Sequence, residues 1–595
     1  MSPTRVWSKK KHTFHKEQSG TGTPRLRIVS LFFVAVGCII TGRLVMLMIV
    51  QHDTYKTLAQ GSHELFAELF PRRGSIYIQD TRTKEEFPLA INRDVFLLYA
   101  DTREIDSDTT AADIAAKLAP LFGYDDEKKV ALAVALNKRT DPYEPIEKKV
   151  DESRKDEIDA LKLPGIHFVR TQERFYPEKT VAAPVIGFVG KDAEGVDIGR
   201  YGIEGYWQET LAGKTGFFEG IRSAKGYSIP LAGKIFDKAE DGADLLTTLD
   251  RTLQYTACER LRKGLIEYGA TSASLIILDP KTGAIRAMCS LPDFDPNMYG
   301  TVESADVYNN TSIFTPYEPG SVFKPLIMAA ALNEGVVTPN SVFFDSGMKE
   351  GVCQTPIRNA NDKSYGDQSM TGILENSINT GMVYVAEQLG KERVRSYIEQ
   401  FGFGTKLGVT LDTEITGTID TLSINKKNTF DCYSATASFG QGITVTPLQM
   451  ISAFASIANG GVLMQPYIIE EIRFADGRRE KTQPKEIRRV MEPRIAALMG
   501  GMLVSVIDEG QSKNAAVHGY YVAGKTGTGQ IAGRGGYSDD TNHSFVGFAP
   551  MDNPKFAMIV KFEKPARAFA DSTAAPVFKD IANFALQYYG VPPSR

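Results

Sequence analysis

The sequence predicts a membrane-anchored α+β protein: a mixed α/β region followed by a domain on an antiparallel sheet of about five strands with a helical insert. Three observations predict it. The run from Ile28 to Val50 is apolar apart from one charge, Arg43. Residues 51–240 mix helical and strand patterns without any constellation of reactive side chains. From Asp241 onward the order becomes helix, two strands, helical insert, three strands, helix.

The anchor comes first. About 20 apolar residues in a helix span a hydrocarbon core of about 30 Å, and residues 28–50 suffice. Residues 1–27 form a basic tail with seven Lys or Arg against Glu17, which favours a cytoplasmic N-terminus. The following "MIVQHDTYK" has no small-x-small cleavage pattern, so a retained single-pass anchor is expected rather than a removed signal. Arg43 is placed to snorkel toward the outer interface. Everything beyond residue 50 then lies outside the cytoplasm.

The first region, 51–240, reads as helix in "DIAAKLAPLF" and "VALAVALNK" and as strand in "DVFLLYA" and "PVIGFVG". The charge-rich "IEKKVDESRKDEIDAL" reads as a solvated helix face. In the second region, 241–595, "LQYTACERLRKGLIEYG" is an amphipathic helix ending at Gly269 and "SASLIILDPKTGAIRAMCS" a hairpin. Strand patterns return in "YYVAGKT", "SFVGFAP" and "FAMIVKFEK", and "AAPVFKDIANFALQYYG" closes the chain as a helix.

Composition excludes some chemistry. A net charge of -4 gives no global attraction to nucleic acid. The cysteines, Cys38, Cys258, Cys289, Cys353 and Cys432, show no Cys-x-x-Cys and no disulfide framework in their spacing. The seven histidines are scattered, so neither a metal nor another cofactor is expected.

Ser-x-x-Lys occurs four times, beginning at Ser8, Ser321, Ser346 and Ser423. Only Ser321 follows Pro-Gly and opens an apolar helix, "SVFKPLIMAAALNEG". Positions i and i+3 share a helical face, so Ser321 and Lys324 project together at one end of a buried helix. A hydroxyl becomes a nucleophile only when something accepts its proton. A lysine can accept it only if burial or a second cation strips its charge. Taken alone, the motif is equally a serine cap and a snorkelling lysine. Its companions decide. Ser377-Ile-Asn379 lies between apolar segments, whereas Ser423-Ile-Asn425 lies among lysines. Lys525 ends the strand "YYVAG" and leads into Thr526, Gly527 and Thr528, whereas the Lys-Thr-Gly at Lys214 is in the 51–240 region and that at Lys281 is in a hairpin turn. Gly527 permits close backbone approach, and an extended peptide could add to this strand edge.

In that order the motifs resemble those of class B penicillin-binding proteins, the peptidoglycan D,D-transpeptidases of cell division above all. "YEPGSVFKP", "SINTG" and "KTGT" match the family's three active-site motifs, and "ILDPKTGAIRAMCSLPDFDPN" and "GQGITVTPLQM" are similar to segments around them. "RRGSIY", "RFYP" and "YGIEGYW" resemble pedestal segments, with one departure: Ile78-Gln79-Asp80 stands where an acid and an arginine usually follow, which puts local pairing there in doubt. The resemblance implies an elongated pedestal, dimerisation-type domain at 51–240 and a penicillin-binding, serine β-lactamase-like transpeptidase domain with a helical subdomain at 241–595. Ser321 would attack the D-alanyl-D-alanine carbonyl of a stem peptide and Lys324 would take the proton. Ser377 would relay it, Asn379 would orient the lysine and substrate, and Lys525 would keep the field positive. Thr526, Gly527 and Thr528 would receive the substrate, with the N–H groups of Ser321 and Thr528 as oxyanion donors. β-Lactams would acylate Ser321. It also implies stem peptides, a polytopic membrane glycosyltransferase and other division proteins as partners at the septum. The alternatives are an elongation-type transpeptidase, a β-lactamase or D,D-carboxypeptidase, and a non-catalytic penicillin-binding scaffold. Elongation-type relatives often carry an acid in place of Asn379, which favours division.

Overall fold

The computed structural model describes Gly37 and residues 64–69, 71–221, 235–424, 429–533 and 536–595. The expected basic tail, the span 28–50 apart from Gly37, and Asn425 lie outside the described residues. Among the described residues no helix is long and apolar enough to cross a membrane.

The chain divides into two compact units, one of residues 1–70 and 215–239, the other of 71–214 and 240–595. The first contains a three-stranded antiparallel sheet of Glu64–Leu69, Gly216–Ile221 and Ile235–Asp237.

The second unit holds the expected five-stranded antiparallel sheet. Its strands are β1 (Ser272–Leu278), β2 (Ile285–Leu291), β3 (Ala523–Gly533), β4 (Gly536–Ala549) and β5 (Phe556–Glu563), in the spatial order β2-β1-β5-β4-β3. The strands are buried on both faces, which explains their near-continuous apolar runs. Successive residues of "SLIIL" feed opposite cores: Leu275 and Ile277 on one side, Ile276 and Leu278 on the other. The first core is covered by α1 (Arg251–Glu267), through Leu253, Ala257 and Leu261, and by the closing helix Ala574–Tyr588, through Phe578, Ile581 and Leu586. The second receives α2 (Lys324–Asn333), in which Lys324 through Leu332 are all buried. A helix apolar all round belongs inside a domain.

The pedestal segments contribute to a second, seven-stranded sheet that includes Ile76–Gln79, Glu86–Ala100, Glu144–Val150, Ile166–Phe175 and Asp244–Asp250. Three quoted segments converge on one buried carboxylate. Glu204, 0% exposed, accepts from Arg73 Nε at 2.9 Å and Arg174 Nε at 2.7 Å, with the Tyr176 hydroxyl at 3.3 Å. Burial alone would raise its pKa, but Arg174 and Arg73 hold it below the ordinary value. A buried acid needs such pairing. At the departure, Asp80 finds local partners: it accepts from the N–H groups of Arg82 and Thr83 and from the Thr252 hydroxyl, at 2.9, 3.0 and 2.9 Å.

Four expectations are corrected. Lys525 does not end a strand: β3 begins at Ala523 and runs on through Lys525 to Gly533. "PVIGFVG" is not one strand. Ala183–Ile186 forms a helical turn and only Phe188–Lys191 is extended, because Gly187 breaks the run at φ +78. The "IEKKVDESRKDEIDAL" segment is half strand, with the helix confined to Glu152–Ala160 behind an Asp151 cap. The cysteines do form disulfides, Cys258–Cys289 and Cys353–Cys432, whose Cα atoms lie 5.6 and 4.8 Å apart. Their sequence separations are 31 and 79 residues, so only tertiary packing brings them within bonding reach.

Candidate active site

Ser321 sits in a tight helical turn, Gly320–Phe323, that runs directly into α2. It is therefore not a helix cap, as the sequence allowed; its carbonyl instead accepts from the Lys324 N–H. Gly320 takes φ +59, and a Cβ there would meet Thr528 O at 3.2 Å. A Cβ on Gly527 would stand 2.9 Å from Pro319 O. The nucleophile turn thus lies directly on the backbone of β3, the edge of its sheet, and glycine is what lets the two approach.

Lys324 is 0% exposed. Its Nζ donates to Ser377 O at 2.6 Å and Asn379 Oδ1 at 2.7 Å, and lies 3.2 Å from Ser377 Oγ. Burial drives its pKa well below the ordinary value, and the charge of Lys525 pushes the same way. Burial is the larger cause. The second cation, expected from sequence to add to burial, is the smaller cause. A neutral amine has two N–H groups and one lone pair. Two carbonyl-type oxygens occupy the N–H groups, which leaves the lone pair to accept from a serine hydroxyl. No hydrogen bond joins Ser321 Oγ to Lys324 among the described residues; catalytic contacts commonly tighten only with substrate.

Ser377 holds φ +53, a left-handed conformation costly for serine. It closes the turn before α3 (Asn379–Leu389). Asn379 Nδ2 donates to Arg358 O at 3.0 Å, which orients its oxygen toward the lysine. Beneath it, Asp345 accepts from the Thr380 hydroxyl at 2.5 Å and from Asn359 Nδ2 at 2.8 Å. Sequence reasoning missed Asp345 and Asn359, which carry no motif; only Thr380, inside "SINTG", was visible.

Lys525 is 1% exposed, and burial lowers its pKa to about 8, with Asp571 opposing. Thr526 Oγ1 shares a hydrogen bond with Ser512 Oγ at 3.1 Å. Thr528 Oγ1 accepts from the Ala570 N–H at 3.2 Å. Ser512, Ala570 and Asp571 were also not singled out from sequence.

The rejected motif copies have ordinary partners. Ser346 Oγ donates to Met348 O and Lys349 pairs with Glu387. Lys281 reaches Asn553, and Lys214 pairs with Glu240. The structure therefore brings Ser321, Lys324, Ser377, Asn379, Lys525, Thr526, Gly527 and Thr528 into one region; of the copies that lie among the described residues, those at Ser346, Lys214 and Lys281 are engaged elsewhere.

Comparison with known proteins identifies the family. Residues 273–583 match the penicillin binding protein transpeptidase domain, and residues 68–247 match the penicillin-binding protein dimerisation domain. The chain is similar to stage V sporulation protein D of Bacillus subtilis, at 32% identity over 96% of this chain and 86% of that protein. It is also similar to the probable peptidoglycan D,D-transpeptidase PbpC of Pseudomonas aeruginosa, at 30% identity over 96% of each. Among solved structures it resembles penicillin binding protein 3 of Mycobacterium tuberculosis in complex with aztreonam, with TM-score 0.67 and 25% identity over 89% of this chain and 98% of that one. With a transpeptidase model matching more than half of its length behind a matching dimerisation domain, this chain belongs to the class B penicillin-binding proteins.

Proposed function

We propose that this serine-type D,D-transpeptidase cross-links peptidoglycan stem peptides through an acyl-enzyme on Ser321 during septal wall synthesis. The observation that carries the reading is the buried Lys324 amine, with its two N–H groups committed to Ser377 O and Asn379 Oδ1. Its lone pair takes the Ser321 proton as Oγ attacks the carbonyl between the terminal D-alanines. The C–N bond breaks, and Ser377, with Oγ 3.2 Å from Nζ, passes a proton to the departing D-alanine. Asn379 holds the lysine and meets the substrate amide. Lys525, with Thr526 and Thr528, receives the terminal carboxylate, while Gly527 lets the peptide lie along the β3 edge. The N–H groups of Ser321 and Thr528 stabilise the oxyanion, a contribution of about 3 kcal/mol per donor in comparable sites. An amine from a second stem peptide then displaces Ser321. A β-lactam enters the same sequence as a mimic of the D-alanyl-D-alanine end.

The finer reading places the enzyme at the division septum. It is held by an anchor at 28–50, with a polytopic glycosyltransferase supplying glycan strands. Asn379, rather than an acid, supports the division role. A fluorescent fusion concentrated at septa, with filamentation on depletion, supports it; dispersed label and rounded cells contradict it. The chemistry is tested by mass spectrometry of the penicillin-labelled protein. The adduct is expected on Ser321, and an adduct on any other residue overturns the mechanism.

A further inference from the structure

A polar row crosses the central sheet beneath the nucleophile turn. Gly527 pairs with Ser544, Ser544 with Lys561, Lys561 with Ser274, and Ser274 with Ser290. Directly paired residues project to one face. Lys525 precedes Gly527 by two positions, so the row lies on the face that carries the active site. Along β5 its neighbour on that face, Ile559, belongs to the apolar core.

Lys561 is 2% exposed and no step of the reaction uses it. Its ion pair with Glu563 spans 3.6 Å, longer than a hydrogen bond. Its ammonium lies 5.1 Å from the centre of the Tyr317 ring. Among the described residues, Tyr317 Oη, Ser274 Oγ, Ser544 Oγ and Asn542 Oδ1 are buried without a hydrogen-bond partner. Ser274 and Ser544 flank Lys561 on its two neighbouring strands, and Asn542 pairs with Glu563. Ser544 is near enough to the Tyr317 hydroxyl to favour its ionised form, but the two do not meet in hydrogen-bonding geometry.

The cluster touches the nucleophile segment at two points. Tyr317 stands four residues before Ser321, and Ser544 Oγ and Pro319 O both lie 2.9 Å from the Cβ position of Gly527. The turn is otherwise hung from Val445, which exchanges two backbone hydrogen bonds with Tyr317 at 3.0 and 2.9 Å, and from Gly440 O, which accepts from the Gly320 N–H at 3.0 Å.

We propose that Lys561, Tyr317, Ser274, Ser544 and Asn542 hold a cluster of internal water beneath the nucleophile turn, which makes Lys561 a positioning residue for acylation at Ser321. Each unpaired buried group is costly, and water with two to four polar partners removes that cost. Water suits this set because it can accept from the ammonium and donate to the Asn542 oxygen. The Glu563 carboxylate and the amide oxygen beside it disfavour an anion. The proposal rests on Ser321 being the nucleophile.

The test uses the full chain with Lys561→Met, Tyr317→Phe and the double variant, in acylation by a fluorescent penicillin. Lys561→Met is expected to lower the acylation rate constant on the order of tenfold, with the non-covalent dissociation constant and melting temperature unchanged or improved. Tyr317→Phe removes one oxygen and is expected to act in the same direction. Because both act through one cluster, the double variant should be no worse than the slower single. Crystals of the wild type should show ordered water within about 3.2 Å of at least two of the four orphaned atoms. Wild-type rates in both singles, additive losses, losses that merely follow a fall in melting temperature, or a dry cluster would each overturn the proposal. Should Lys561→Met fail to fold, Tyr317→Phe and the crystal decide it. A wild-type adduct away from Ser321 would instead sink the nucleophile assignment, a separable failure.

Discussion

Replacing Lys525 with arginine should remove the alkaline limb of the acylation pH profile. Burial lowers the Lys525 pKa to about 8, so its charge is lost as pH rises through that value. It is about nine-tenths charged at pH 7 and about one-tenth charged at pH 9. In the proposed mechanism two things depend on that charge: attraction of the substrate carboxylate, and the push that helps keep Lys324 unprotonated. Above pH 8 the second-order acylation constant should fall by about tenfold per unit. The acid limb belongs to Lys324, which loses its lone pair when it protonates. An arginine stays charged above pH 12, so Lys525→Arg should keep the acid limb and lose the alkaline one, whatever its absolute rate. The assay is the rate of adduct formation with a fluorescent penicillin between pH 5 and 10. An alkaline limb that stays near pH 8 in Lys525→Arg would refute the assignment.

Other outcomes follow from the same geometry. Lys324→Met should leave Ser321 intact but slow acylation by at least about 100-fold, read as adduct formation over hours by mass spectrometry. Ser377→Ala removes the hydroxyl 3.2 Å from Nζ while retaining the carbonyl contact; it should slow transfer to an amine acceptor more than penicillin acylation, measured by product chromatography. Glu204→Ala leaves Arg73 and Arg174 buried without their shared partner and should cost roughly 3–5 kcal/mol of stability, measured by calorimetry. Replacing Cys353 and Cys432 with serine opens a 79-residue separation and should cost roughly 2–4 kcal/mol, seen as a lower denaturation midpoint.

What sequence revealed and what it hid divide along a physical line. The "SASLIIL" and "FAMIVKFEK" runs, the Gly269 helix end and the buried "KPLIMAAAL" helix are local patterns, and local patterns report burial and periodicity. The motif residues were legible because chemistry demands a rare conjunction: serine, lysine, a second serine-asparagine pair and a strand-borne lysine. Asp345 and Asn359 were not, because their task is to hydrogen-bond groups distant in sequence. The disulfides were hidden for the same reason. Lys561 was read as part of a strand; nothing in "MIVKFEK" tells that its ammonium points inward, since one step of register decides the face. "PVIGFVG" misled because its composition is strand-like while Gly187 takes a conformation that ends the run.

The strand Asp244–Asp250 runs parallel to Ile76–Gln79 and antiparallel to Ile469–Arg473. The ladder therefore sews the segment before the first catalytic helix to backbone laid down some 170 positions earlier and some 220 later. A chain cut at residue 241 would begin with a strand stripped of one neighbour, its amide groups open to any passing edge. Expression of the C-terminal portion by itself should accordingly yield aggregates.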